Sequence, residues 1–179
     1  MHDLKELASL LKQMNVIGNQ ISEVIKRPAL TGHIGEFVAG RIFNIALERS
    51  ATSRGKDGHF QDGPLAGKSV NIKYYPKLET LDMRKDALPE YYLVLTGPRG
   101  SAATSRGSSR PLVIDHAFLF QSEALCRELN TRGVKIQTGT SLLRTQWDAA
   151  ELYPHNRCER LSVTDAQRAM MALFASPDA

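Results

Sequence analysis

The stretch Lys56-Asp57-Gly58-His59-Phe60 and the later stretch Lys68-Ser69-Val70-Asn71-Ile72-Lys73-Tyr74-Tyr75 hold the residues best suited to chemistry in this 179-residue chain. They bring together an acid, an imidazole, an amide and an ammonium, groups that handle protons and ions. Side chains of a strand alternate faces, so Val70, Ile72 and Tyr74 share one face and Asn71, Lys73 and Tyr75 the other. The intervening Gln61–Gly67 is rich in turn formers and predicts a hairpin. Closed symmetrically about Leu65, the hairpin sets Asp57 opposite Lys73, His59 opposite Asn71, and Phe60 opposite Val70. Directly paired residues point to the same side. Phe60, Val70 and Ile72 then form a core face, and Asp57, His59, Asn71 and Lys73 a polar one. A one-residue slip would bury Lys73 and expose Ile72, so the apolar pattern supports this pairing. Asp62 is the competing acid. It falls near the tip of the hairpin, roughly 17 Å along the strand from Lys73, where its role is to support the turn.

A second acid lies upstream. Residues 33–48 show helical periodicity, with Ile34, Phe37, Val38, Ile42 and Ile45 on one side and Arg41, Asn44 and Glu48 as a solvent stripe. Glu36 points away from that stripe, on the line of Gly40, Phe43 and Leu47. A carboxylate set into an apolar arc requires a partner: a lysine, backbone donors or a metal ion. His33 lies one turn earlier on a neighbouring line.

An acidic helix residue (Glu36), an aspartate on a first strand (Asp57) and a hairpin return carrying x-x-Lys (Asn71-Ile72-Lys73) together resemble the PD-(D/E)xK nuclease superfamily. The resemblance covers roughly residues 31–140. It implies an α/β fold, a restriction-endonuclease-like mixed sheet with an αβββαβ-type core. It further implies that Glu36 and Asp57 bind a divalent metal, Mg²⁺ or Mn²⁺, and that Lys73 orients or activates the attacking water. Hard carboxylate oxygens suit Mg²⁺, and a nearby lysine stabilises charge growing on a phosphate. In one respect the chain departs from the pattern: Asn71 stands where the motif carries an acid. Either Glu36 supplies the missing charge or the site is inactive. The expected activity is that of a Mg²⁺-dependent nuclease acting on DNA in preference to RNA; the alternative is an inactive fold serving as a nucleic-acid-binding or assembly subunit. A homodimer cutting both strands is compatible with the family, although no interface is marked in the sequence.

Around this centre, His59 could touch the scissile phosphate or a metal-bound water, and His33 could approach the metal or cap Glu36. Tyr75 could stack on a base. Lys77 is a candidate phosphate contact, as are Arg99, Arg106 and Arg110 in the loop Gly97–Arg110, which lacks apolar periodicity. Charge is distributed accordingly. Residues 63–77 carry three lysines and residues 91–114 three arginines, with no acid in either stretch. Since the formal net charge is +4, the rest of the chain sums to −2.

The elements expected to position these groups follow from period and punctuation. Leu4, Leu7, Leu10 and Leu11 predict a helix over 3–14, and a second helix over 19–26 ends before Arg27-Pro28. Thr31 is the expected N-cap of the third helix. Strands are expected at 57–60, 68–75, 91–96, 112–120 and 134–137. Further helices are expected at 123–132, over one or two turns within 146–152, and from the capping-box pattern Ser162-Val163-Thr164-Asp165 through Leu173. The chain is expected to be a single domain over residues 1–179, with its core at about 31–140 and helical additions at 1–30 and 145–179. No apolar run approaches the ~20 residues of a membrane span. Two cysteines, Cys126 and Cys158, are too few for a disulfide framework or a zinc ribbon. These features predict a cytoplasmic protein with no membrane partner.

Overall fold

Six strands form one sheet in the order β1-β2-β3-β4-β5-β6, in a computed structural model that describes residues 2–48, 55–76, 80–98 and 112–176. Lys77, Arg99, Arg106 and Arg110 lie outside the described residues. The strands are β1 (Ile45–Leu47), β2 (Gly58–Phe60), β3 (Ser69–Tyr75), β4 (Tyr91–Thr96), β5 (His116–Gln121) and β6 (Glu151–Tyr153). All neighbours are antiparallel except β3 and β4, which run parallel and are joined by residues 76–90. The helices are α1 (His2–Ile25), α2 (Thr31–Ile42), α3 (Ser122–Thr131), α4 (Arg144–Ala150) and α5 (Asp165–Ala172). The protein is thus a mixed α/β structure with an open, mostly antiparallel sheet.

Each face of the sheet is covered. On one side, Val38, Ala39 and Ile42 of α2 and Met171 of α5 pack over Val70, Ile72, Leu93, Leu95 and Leu119. On the other, Leu125 and Leu129 of α3 and Trp147 of α4 pack over Tyr92, Val94, Phe118 and Phe120. Burial on both faces explains the continuous apolar run of β4. Trp147 anchors the second side, its ring edge-on to Phe118 at 4.9 Å and Phe120 at 5.0 Å. Such pairs add about 0.5–1.5 kcal/mol each beyond their area burial.

Several elements differ from the sequence reading. The two N-terminal helices are one: α1 runs unbroken through Gly18, whose cost of about 1 kcal/mol does not end a helix. The third helix stops at Ile42, not 48, because Asn44 adopts φ +48°, a left-handed turn that asparagine tolerates. The chain then returns as β1, and Glu48 follows a strand. Thr31 is the first helical residue, with Leu30 as the N-cap. Residues 134–137 form no strand; the sixth strand is the three-residue β6, too short to show a period. At the C-terminal helix the capping box is present, with Thr164 as N-cap and Gln167 as its partner.

The hairpin pairing is also displaced. Gly58 lies opposite Val70 and His59 opposite Ser69, so the ladder ends at Gly58, and Asp57 bonds Val70 O and Ile72 N rather than pairing with Lys73. The cause is the 3-10 turn Gly63–Leu65, which buries Leu65 and centres the hairpin on Pro64. A displacement of two positions preserves the faces. The polar face, however, is partly roofed by the second core, and Asn71 is buried.

Close contact between α2 and β3 depends on Gly35. A Cβ at this position would lie 2.5 Å from Tyr74 Cβ, near the backbone, where a side chain cannot swing aside. Gly35→Ala is expected to destabilise the protein by roughly 1–3 kcal/mol, as overpacking does, and to move the neighbouring Glu36. An unchanged urea midpoint would show that α2 is not seated this tightly.

Candidate active site

Asp57 stands where β2 and β3 separate. Its backbone N–H donates to Val70 O at 2.8 Å, the last ladder bond on this side, and its carbonyl accepts from Glu48 N at 2.8 Å. One step further, its carboxylate takes over from the backbone: Oδ2 accepts from Ile72 N at 2.6 Å. The acid is thereby locked against the middle of β3, between Asn71 and Lys73.

Glu36, Lys73 and Arg27 all lie close enough to bias the charge of Asp57. Burial is the dominant influence and raises its pKa, and the like charge of Glu36 adds to the rise. The Ile72 N–H, Lys73 and Arg27 oppose it, and the net result is a raised value. The charges of Glu36 on α2 and Lys73 on β3 therefore both reach Asp57, just ahead of β2.

Arg27 was not anticipated. Its guanidinium is bound to the Glu36 carboxylate, with both side chains about three-quarters or more buried. It answers the demand for a partner that Glu36 sets, using a cation from the turn before α2. The available signal was Arg27-Pro28 itself: proline restricts the residue before it to extended backbone, which holds Arg27 between α1 and α2. Lys73 is half-buried, and no ion pair among the described residues holds it.

Asn71 carries a further anomaly. Its Oδ1 is buried and has no hydrogen-bond partner. Leaving such an oxygen unsatisfied costs about 1–3 kcal/mol. Asn71 pairs with Tyr92 of β4, and on its other side lies past the end of the β2 ladder. The Tyr92 hydroxyl is pushed up to about 12, chiefly by burial and in part by the charge of Asp57.

The outer candidates are placed elsewhere. His59 pairs with Ser69, and its Nδ1 lies 3.4 Å from Glu48 Oε1, in a cluster that includes Lys56. His33 Nδ1 is 2.9 Å from Pro28 O, a local tie at the start of α2. Tyr75 packs against the second core, and its hydroxyl accepts from Asp82 N at 3.1 Å, which commits the ring to packing. Asp62 accepts from Asn44 Nδ2 at 2.6 Å and so ties the hairpin turn to the α2–β1 turn.

The candidate donor set is two carboxylates, Glu36 and Asp57, and the partnerless amide oxygen of Asn71, the residue before the Ile72 N–H that Asp57 accepts from. Among the described residues, no three histidine, cysteine, aspartate or glutamate side chains form a group able to hold a metal. Mg²⁺ does not require such a cage: it keeps several waters and is commonly held by one or two carboxylates. The partnerless Asn71 oxygen fits a hydrated cation of this kind. In comparisons with known proteins, the chain matches no family model and no curated protein.

Proposed function

We propose that this protein is a metal-dependent nuclease of the PD-(D/E)xK type, hydrolysing phosphodiester bonds in DNA. The observation that carries the reading is the meeting of Glu36, Asp57 and Lys73 around the point where β2 leaves β3. Three residue types chosen for their chemistry, from a helix, the approach to β2 and a strand, have no packing reason to act on one another there.

In this reading Glu36 and Asp57 hold Mg²⁺ or Mn²⁺, with Asn71 Oδ1 as a neutral third oxygen. The ion, when bound, makes hydroxide more available and offsets charge on the phosphate. Asp57 is fixed by the Ile72 N–H, so its second oxygen is free to face the ion without reorganisation. Lys73 places an ammonium beside the same carboxylate, where it orients the attacking water and stabilises the developing phosphorane charge. Arg27 competes for Glu36, and binding of the metal is accordingly expected to be weak.

One observation favours a second reading, an inactive nucleic-acid-binding or assembly subunit. Arg27 already neutralises Glu36, and Asn71 contributes no charge, which leaves Asp57 as the single uncompensated acid. The two readings diverge in a plasmid assay. The nuclease reading expects nicking of supercoiled DNA with Mg²⁺ or Mn²⁺ that stops on chelation. No cleavage of DNA or RNA with either metal, together with retained binding, would establish the second reading.

A further inference from the structure

We propose that α1 is a self-association element whose partner is α1 of a second copy of this chain. The helix is 24 residues long, about 36 Å at 1.5 Å per residue, and buries only Ile25. Leu4, Leu7, Leu10, Leu11, Met14 and Ile17 are between 44% and 70% exposed. Helices in proteins owe most of their stability to a packed apolar face, and this one has no cover among the described residues.

The spacing identifies the kind of cover. Leu4, Leu7, Leu11, Met14, Gly18, Ile21 and Ile25 advance by three and four residues in strict alternation over three heptads. A repeat of 3.5 residues keeps its seam facing another helix that winds around it, which neither a flat sheet nor a lipid surface requires. The polar side carries Asp3, Glu6 and Glu23 against Lys5 and Lys12, an acidic balance that an anionic membrane would repel.

The flanks of the seam argue for a second copy. Leu10, Ile17 and Val24 line one flank, and Ala8, Asn15 and Ser22 the other. Two copies running antiparallel set each flank against its own kind, apolar to apolar and small polar to small polar, and they oppose the helix dipoles. In the register that pairs Leu11 with Met14, Leu7 meets Gly18, where a Cβ would find nothing within 4 Å. The apolar surface available is on the order of 700 Å² per copy, close to the ~800 Å² per partner of a standard stable interface. No charge on the seam calls for a complementary foreign partner.

Light scattering on the full chain over a range of concentrations tests the proposal. Wild type is expected to show twice the chain mass. Leu7→Ala with Leu11→Ala keeps α1 rich in good helix formers and should weaken association more than about a hundredfold. Fluorescence of the buried Trp147 should not change in that variant, which excludes loss of the fold as the cause. A single-chain mass for wild type at every concentration would overturn the proposal, as would a dimer that survives both substitutions. Wild-type monomer that binds anionic vesicles would assign α1 to a membrane surface and equally refute it.

Discussion

Lys73→Ala is expected to abolish metal-dependent nicking while leaving the fold in place. Lys73 is half-buried and closes no ion pair among the described residues, yet its charge acts on Asp57. A lysine that served stability would be expected to close an ion pair, as Lys68 does with Glu90 at 2.8 Å. Removing one preorganised electrostatic group from a hydrolytic site costs on the order of a hundred- to a thousandfold in rate. Lys73 closes no ion pair among the described residues, so truncation should lower stability only slightly. The check is to measure nicking rate and melting temperature on the same preparation. Cleavage at the wild-type rate would remove Lys73 from the mechanism; a collapsed melting temperature would reassign it to the fold.

The second large effect concerns Asp57→Asn, which should be as inactive as the lysine variant and yet at least as stable as wild type at neutral pH. The argument rests on the sign of the pKa shift. Burial and then the charge of Glu36 raise the Asp57 pKa, and the Ile72 N–H, Lys73 and Arg27 only partly offset this. With a folded value above the unfolded one, the native state binds the proton more tightly. The ionised carboxylate therefore detracts from stability at neutral pH, and that loss is recovered as pH falls through the folded value. Asparagine keeps an oxygen to accept from Ile72 N and removes both the buried charge and its repulsion with Glu36. Melting curves of the two proteins should converge in acid and separate towards neutrality, with the variant higher. A variant that melts well below wild type at pH 7 would mean that the carboxylate is structural, and the catalytic role would fail with it. A charge retained against the interest of stability is what a cation-binding acid would require, since a divalent ion reverses the sign of its environment.

The two substitutions also divide the readings of the site. Both bear on Asp57, an acid that no ion pair among the described residues neutralises, and on a lysine whose charge reaches it. If the protein only binds nucleic acid, Asp57→Asn should strengthen that binding by removing a negative charge from a phosphate-facing surface. If it cleaves, the same substitution should silence it.

Residue types and their alternation were enough to determine the local content of the site. The period-two pattern of Val70, Ile72 and Tyr74 assigned β3 its faces, and the apolar run from Tyr91 to Thr96 marked a strand buried on both sides. The same reasoning singled out Glu36 as an acid in need of a partner. Each of these depends on interactions within a few residues, which is the range that periodicity reports.

What depended on contacts distant in sequence had to be decided by tertiary structure. The hairpin register was set by Leu65 turning into the core, and that choice paired His59 with Ser69 and left Asp57 to bond the Ile72 N–H. The partner of Glu36 came from the turn before α2, nine residues away in sequence, where Arg27 binds the acid. The second core turned the nominal polar face into a half-buried one, which committed Tyr75 to packing and left the Asn71 oxygen without a donor. Strand alternation specifies which side a residue takes, but only the packing of α3 and α4 against that side decides whether water reaches it.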